Sequence, residues 1–172
     1  MHMDTSSSAP TERAEGREWR VATVAEQVAA LDHLVNVART RIRIFDIDLA
    51  QGGWDRRERV AALDRFLRQP NARLDVIVHD TRWIEASAAR FVQLLRHFGH
   101  AVTLYRTGAE ARSAMDPLVI VDERHFLHRF HIDRPGAAVA LDMPHVARPL
   151  CARFDEIWAT GEPGLAGTVL GL

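Results

Sequence analysis

The sequence predicts an α/β domain built as a mixed sheet flanked by helices, and three observations carry that prediction. From Thr23 to about Asp122, stretches with apolar residues at helical spacing alternate with short β-branched runs. The order helix, strand, helix, strand, helix, strand calls for neighbouring strands joined by right-handed crossovers, with the later strands closing as a hairpin. At 172 residues and 47% hydrophobic content, the chain has enough apolar side chains for one core without a disulfide or a structural metal.

Each element has its own signature. Val24, Val28, Leu31, Leu34, Val35 and Ala38 recur at helical spacing, and Thr23 with Glu26 forms a capping box, which predicts a helix from Thr23 to about Arg39. RIRIFD over Arg41 to Asp46 alternates as a strand and stops at Asp48 and the Gly52-Gly53 pair. Asp55 is the expected cap of a second helix reaching about Arg68, with Val60, Leu63, Phe66 and Leu67 inward and Pro70-Asn71 as its stop. RLDVIVH from Arg73 to His79 is the next strand. A third helix is expected from about Arg82 to Phe98, with Ile84, Ala88, Phe91, Leu94, Leu95 and Phe98 on one side and Gly99 at its C′ position. Ala101 to Arg106, Leu118 to Asp122 and Phe126 to His131 are short strands, and a last helix runs from about Pro144 to Thr160, with Asp142 as its cap and Gly161 and Pro163 closing it.

Composition excludes several chemistries. All 22 basic residues are arginine, so Schiff-base chemistry, a P-loop lysine and a lysine general base are absent. The single Cys151 excludes an intramolecular disulfide and any multi-cysteine zinc or CxxC redox site, and its place in the last helix suits a structural thiol. A net charge of -1 does not favour a nucleic-acid partner, although Arg56, Arg57, Arg59, Arg65 and Arg68 could form a basic stripe on the second helix, where a solvated face is the plainer account. No apolar run is long enough to span a membrane and no signal-type segment opens the chain, so a cytoplasmic place is expected. Residues 1–18 are polar and expected to form a disordered tail, of which Met1, His2 and Met3 could be foreign to the protein; 19–163 form the domain and 164–172 a second tail.

In open α/β sheets ligands gather at the carboxyl ends of strands. The residues there are Asp46 and Asp48, His79 and Asp80, Arg106, and Asp122 with Arg124. An anion is therefore expected near His79, Arg106 and Arg124. Asp46, Asp48 and His79 could do acid-base work as a hydrolase, although Asp80 also fits a helix cap and Asp46 and Asp48 fit turns. His125, His128 and His131 are a second cluster, but in a strand His128 points away from the other two, so one metal could not take all three without a bend. No cofactor or metal is expected. Trp19, Trp54, Trp83 and Trp158 suit packing more than a stacking platform, and GxSxG, GxGxxG and HExxH do not occur.

The stretch Met115-Asp116-Pro117-Leu118-Val119-Ile120-Val121-Asp122 resembles the HxKxxxxD strand of the phospholipase D superfamily. The order of elements from about Val21, the hairpin after VDERHFL and the terminal FDEIWATGEP resemble one half of that fold, as in small bacterial phospholipase D-like domains with a degenerate motif. Matched back from Asp122, the histidine position holds Met115 and the lysine position Pro117. The resemblance therefore implies a fold without the family's nucleophile or its phosphate-binding lysine, hence no phospholipase D-type activity, and a remnant cleft that binds a partner or a phosphate-bearing ligand. It also implies a homodimer, with two single halves facing cleft to cleft.

Overall fold

A computed structural model describes residues 15–165. In chain order the strands are β1 (Arg17–Val21), β2 (Arg41–Asp46), β3 (Arg73–Val78), β4 (Val102–Arg106), β5 (Leu118–Val121), β6 (His125–His131), β7 (Arg134–Leu141) and β8 (Glu162–Pro163). The helices are α1 (Val24–Val37), α2 (Arg57–Leu67), α3 (Arg82–Ser87), α4 (Ala89–His97) and α5 (Pro144–Trp158), with a short 3₁₀ turn at Ala109–Ala111. The strands form one eight-stranded mixed sheet in the order β1-β7-β6-β5-β2-β3-β4-β8. Parallel pairing is confined to β2-β3 and β3-β4. Pairing of β2 with β5, of β5 with β6 and of β6 with β7 is antiparallel.

Strand alternation builds two apolar layers, one on each face. Ile42, Ile44, Leu74, Val76, Val78, Val119, Val121, Leu127 and Val139 meet α1, α2 and α4 in the larger core. Phe45, Ile77, Leu118, Ile120, Phe126, Ala138 and Ala140 meet Ala147, Phe154 and Ile157 of α5 on the other face. At the start of α1 the expected capping box is present: Thr23 Oγ1 accepts from Glu26 N at 3.1 Å, and Glu26 Oε2 accepts from Thr23 N at 3.2 Å.

Several expectations need correction. Asp55 does not cap α2; its carboxylate accepts from Phe91 N at 2.8 Å and so serves the first turn of α4, distant in sequence and adjacent in space. The long third helix is two helices, broken where Ala88 adopts φ -111° and ψ 53°. Gly99 does not take a left-handed C′ conformation, Gly53 being the glycine with positive φ among the described residues. Asp142 does not cap α5: Met143 holds that position, and the Asp142 carboxylate lies 3.3 Å from Arg124 Nε instead. Val24 is exposed although it matches the apolar spacing of α1. Most of the tail expected over 1–18 lies outside the described residues, but Arg17 and Glu18 already belong to β1. Of the expected tail 164–172, Gly164 donates to the Leu104 carbonyl at 3.1 Å and Leu165 is buried in the larger core; the rest lies outside the described residues.

Candidate functional site

Strand direction decides which candidate residues meet. The parallel strands β2, β3 and β4 end together at Asp46, Val78 and Arg106. Because β5 runs against β2, with Phe45 opposite Leu118 and Ile42 opposite Val121, its beginning at Met115–Pro117 comes to this edge and its end at Asp122 goes to the far one. Arg124 and His125 go with Asp122. The grouping of Arg124 with His79 and Arg106 is thus undone: the sequence reading took the carboxyl end of each strand, and β5 is reversed.

At the near edge His79 is a clamp. Its Nδ1 lies 2.6 Å from Thr107 Oγ1 and its Nε2 2.6 Å from the Ala114 carbonyl, so one buried ring ties the ends of β3 and β4 to the segment entering β5. A carbonyl only accepts, so Nε2 carries the hydrogen and Nδ1 faces the hydroxyl. Above this ring opens a groove of about 680 Å³ lined by Asp80, Arg82, Glu85, Arg106 and Arg112, with Pro163 to Leu165 at its side. Asp80 accepts from Arg82 N at 2.9 Å and from the Arg82 guanidinium, which holds its carboxyl down at about 2. Arg112 donates Nε to the Thr107 carbonyl at 3.3 Å, and Arg106 comes within 3.9 Å of Glu162.

Asp46 belongs to the opposite face. It pairs with Val78, whereas His79 shares the face of Ile77 and Phe45, whose ring lies edge-on to it at 5.3 Å. The Asp46 carboxylate accepts from Ile47 N at 2.6 Å and lies beside Gln27, Gln51, Trp54 and Arg129 around a void of about 20 Å³, room for about one water. Burial first, helped by the nearby Asp48 charge, pushes its pKa up to about 6 against the influence of Arg129. Asp48 is a turn residue whose Oδ1 accepts from Ala50 N at 2.9 Å. The acid-base set of Asp46, Asp48 and His79 is therefore divided between two faces of the sheet.

The histidine cluster is also dispersed. His125 Nδ1 accepts from Asp142 N at 2.9 Å, His131 Nδ1 from Asp133 N at 3.2 Å, and His128 Nε2 lies 2.8 Å from Asp116 Oδ2. Asp116 also receives the Arg153 guanidinium; burial opposes its charge, but His128 and Arg153 hold the carboxyl at about 2. At the far edge Asp122 accepts from Arg39 N at 2.8 Å, from Thr40 N at 2.8 Å and Thr40 Oγ1 at 2.9 Å, and from Arg41 N at 2.9 Å. These hydrogen bonds outweigh burial and lower its pKa. Cys151 is half-buried and burial raises its thiol pKa, which fits an unreactive thiol.

The arginine stripe is interrupted by one buried member and two ion-paired ones, while Arg57 and Arg65 stay exposed on α2. Arg59 is fully buried against the Trp54 ring at 4.8 Å and donates to Asp32 at 2.7 Å and to the carbonyls of Gly52 and Val28. Arg56 and Arg68 pair with Asp32 and Asp64. Sequence reasoning missed Thr107, Arg112 and Arg153. Arg112 lies in a polar stretch without periodicity, and the other two matter only through partners that the fold supplies.

Solved structures with this architecture define its class. Over 88% of this chain and all of the other, it superposes with Nuc, a phospholipase D family member from Salmonella typhimurium (16% identity, TM-score 0.61), and with NucT from Helicobacter pylori (12% identity, TM-score 0.56). TrmBL2, an archaeal chromatin protein with a novel mode of DNA binding, matches over 92% of this chain at 15% identity and a TM-score of 0.62; the chain spans 56% of its length. The fold is thus phospholipase D-like. Residues 23–166 match a family described as a domain of unknown function (DUF7931), and the chain belongs to that family. No curated protein matches the sequence. Among the described residues, no helix is long and apolar enough to cross a membrane.

Proposed function

We propose that this domain binds a phosphate-bearing ligand in the groove above His79 and does not hydrolyse it. The observation that carries the reading is the convergence of Arg82, Arg106 and Arg112 on one open groove at the carboxyl ends of β3 and β4. Arg82 is engaged by Asp80, so Arg106 and Arg112 are the guanidiniums with donors to spare, and a guanidinium can grip a phosphate through two parallel hydrogen bonds. Glu85 at the rim limits the net positive charge and favours a small phosphate group over a long polyanion.

Absence of catalysis follows from the same edge. Both His79 nitrogens are committed to internal partners, and Asp46 faces the other side of the sheet. In the phospholipase D-type match the nucleophile and lysine positions hold Met115 and Pro117, which offer neither a nucleophilic nitrogen nor a charge.

Thermal unfolding with inorganic phosphate or a short single-stranded oligonucleotide, alongside hydrolysis of bis-p-nitrophenyl phosphate, tests this reading. Phosphate is expected to raise Tm in the parent, less so in Arg106→Ala and Arg112→Ala, with hydrolysis at background throughout. Turnover abolished by His79→Ala would establish a hydrolase with a rebuilt site. A Tm rise with the oligonucleotide alone, falling steeply with salt, would assign the groove to nucleic acid.

A further inference from the structure

The sheet has two unlike edges. β8 is two residues long and ends in Pro163, so it offers little to a neighbouring strand. β1 is five residues long, REWRV, without proline or bulge, and it pairs with β7 on one side only. On its outer side no described strand lies, so the N–H and C=O groups of alternate residues point outward unpaired by the sheet.

We propose that this edge pairs antiparallel with the β1 edge of a second copy, about a two-fold axis through Trp19. Two-fold symmetry admits few registers, and charge selects among them. Centred on Trp19, the pairing sets Glu18 opposite the partner's Arg20 and Arg20 opposite the partner's Glu18, with Trp19 facing its own symmetry mate and Arg17 facing the partner's Val21. Centred on Glu18 it would oppose two carboxylates, and centred on Arg20 two guanidiniums. Opposite charges placed directly across a strand pair stabilise it and like charges destabilise it, so the edge charges permit one symmetric register and disfavour its neighbours.

The side chains are available for this role. Arg17, Glu18 and Arg20 are exposed, and Trp19 is half-buried beside a groove of about 440 Å³ between β1 and α1 that Ala29, Ala30 and His33 also line. Arg17 lies over the Trp19 ring at 4.7 Å, and Arg20 lies over Phe130, an exposed aromatic residue, at 5.2 Å. These cation-π contacts hold the two arginines along the strand. Two short strands bury less than the roughly 1,200 Å² of a standard interface, so the dimer belongs to the weak, concentration-dependent class. It is isologous and closed, which limits assembly to two copies.

Light scattering after size exclusion at low salt, from about 10 µM to about 1 mM to cover a weak dimer, reads the association directly. The parent is expected to pass from monomer to dimer. Glu18→Arg and Arg20→Glu each convert both cross-strand pairs to repulsions and are expected to raise the midpoint about tenfold, while the double exchange restores it to within about threefold. Both positions are exposed, and circular dichroism checks that each variant stays folded. A protein monomeric throughout overturns the proposal. So does a dimer indifferent to the single reversals, as a cleft-to-cleft pair would be, or a double exchange that fails to recover.

Discussion

The two ends of β5 are held by different partners. At the far end Asp122 receives three backbone N–H groups from the connection between α1 and β2, and with Glu123 it forms the left-handed pair, at φ 52° and 57°, of the tight turn into β6. At the near end Met115 and Pro117 take part through their carbonyls, which accept from Ile132 N at 2.8 Å and Arg129 N at 2.9 Å. The fold thus uses the Asp122 carboxylate at one end and the Asp116 carboxylate, paired with His128 and Arg153, at the other, whereas Met115 and Pro117 serve it through their carbonyls. The Asp122 carboxylate therefore serves the architecture, tying the start of β2 to the turn after β5.

Asp122→Ala leaves three backbone donors without their carboxylate and is expected to cost about 3 to 4 kcal/mol, a Tm fall of roughly 10 °C for a domain of this size. A loss below about 1 kcal/mol in denaturant titration would show that water replaces the carboxylate cheaply. His79→Ala removes the clamp at the near edge and leaves the Thr107 hydroxyl and the Ala114 carbonyl unpaired; about 2 to 3 kcal/mol is expected by the same titration.

Asp46→Asn is expected to act in the opposite direction. Burial raises the folded-state pKa to about 6 from 3.8, so the folded protein takes up the proton more readily than the unfolded chain. The contribution of Asp46 is therefore intact below about pH 4 and is lost as the pH rises through about 6. The amide should stabilise the protein by about 3 kcal/mol at pH 7 to 8 and by much less at pH 4, which paired unfolding curves would read. A gain equal at both pH values would remove burial of the charge as its cause. The smallest effect is expected for Met115→His, within about 1 kcal/mol, because that side chain supports no hydrogen bond in the fold.

Much of the fold was legible in the sequence where local patterns and burial agree. RIRIFD and RLDVIV read as strands because their alternate residues fill two separate layers, and Thr23 with Glu26 announces α1 by a local hydrogen-bond pair. Other features depend on contacts between distant segments. β1 is polar enough to resemble a tail until β7 pairs with it, and β7 itself, RPGAAVAL, opens with turn residues. Ala88 breaks a helix without a glycine or proline to signal it. The candidate site was half legible. His79 and Arg106 follow their strands as expected, but the reversal of β5 removes Arg124, and sheet alternation sends Asp46 to the other face.

Entry of an anion into the groove above His79 would be read by mapping the shifts of backbone amides during a phosphate titration. Saturable shifts are expected at residues 79–82, 106–112 and 164–165, with their loss in Arg106→Ala while the rest of the spectrum keeps its dispersion. Shifts confined to Arg57, Arg65, Arg90 and His97 on the surface of α2 and α4, or no saturable shift at all, would contradict it.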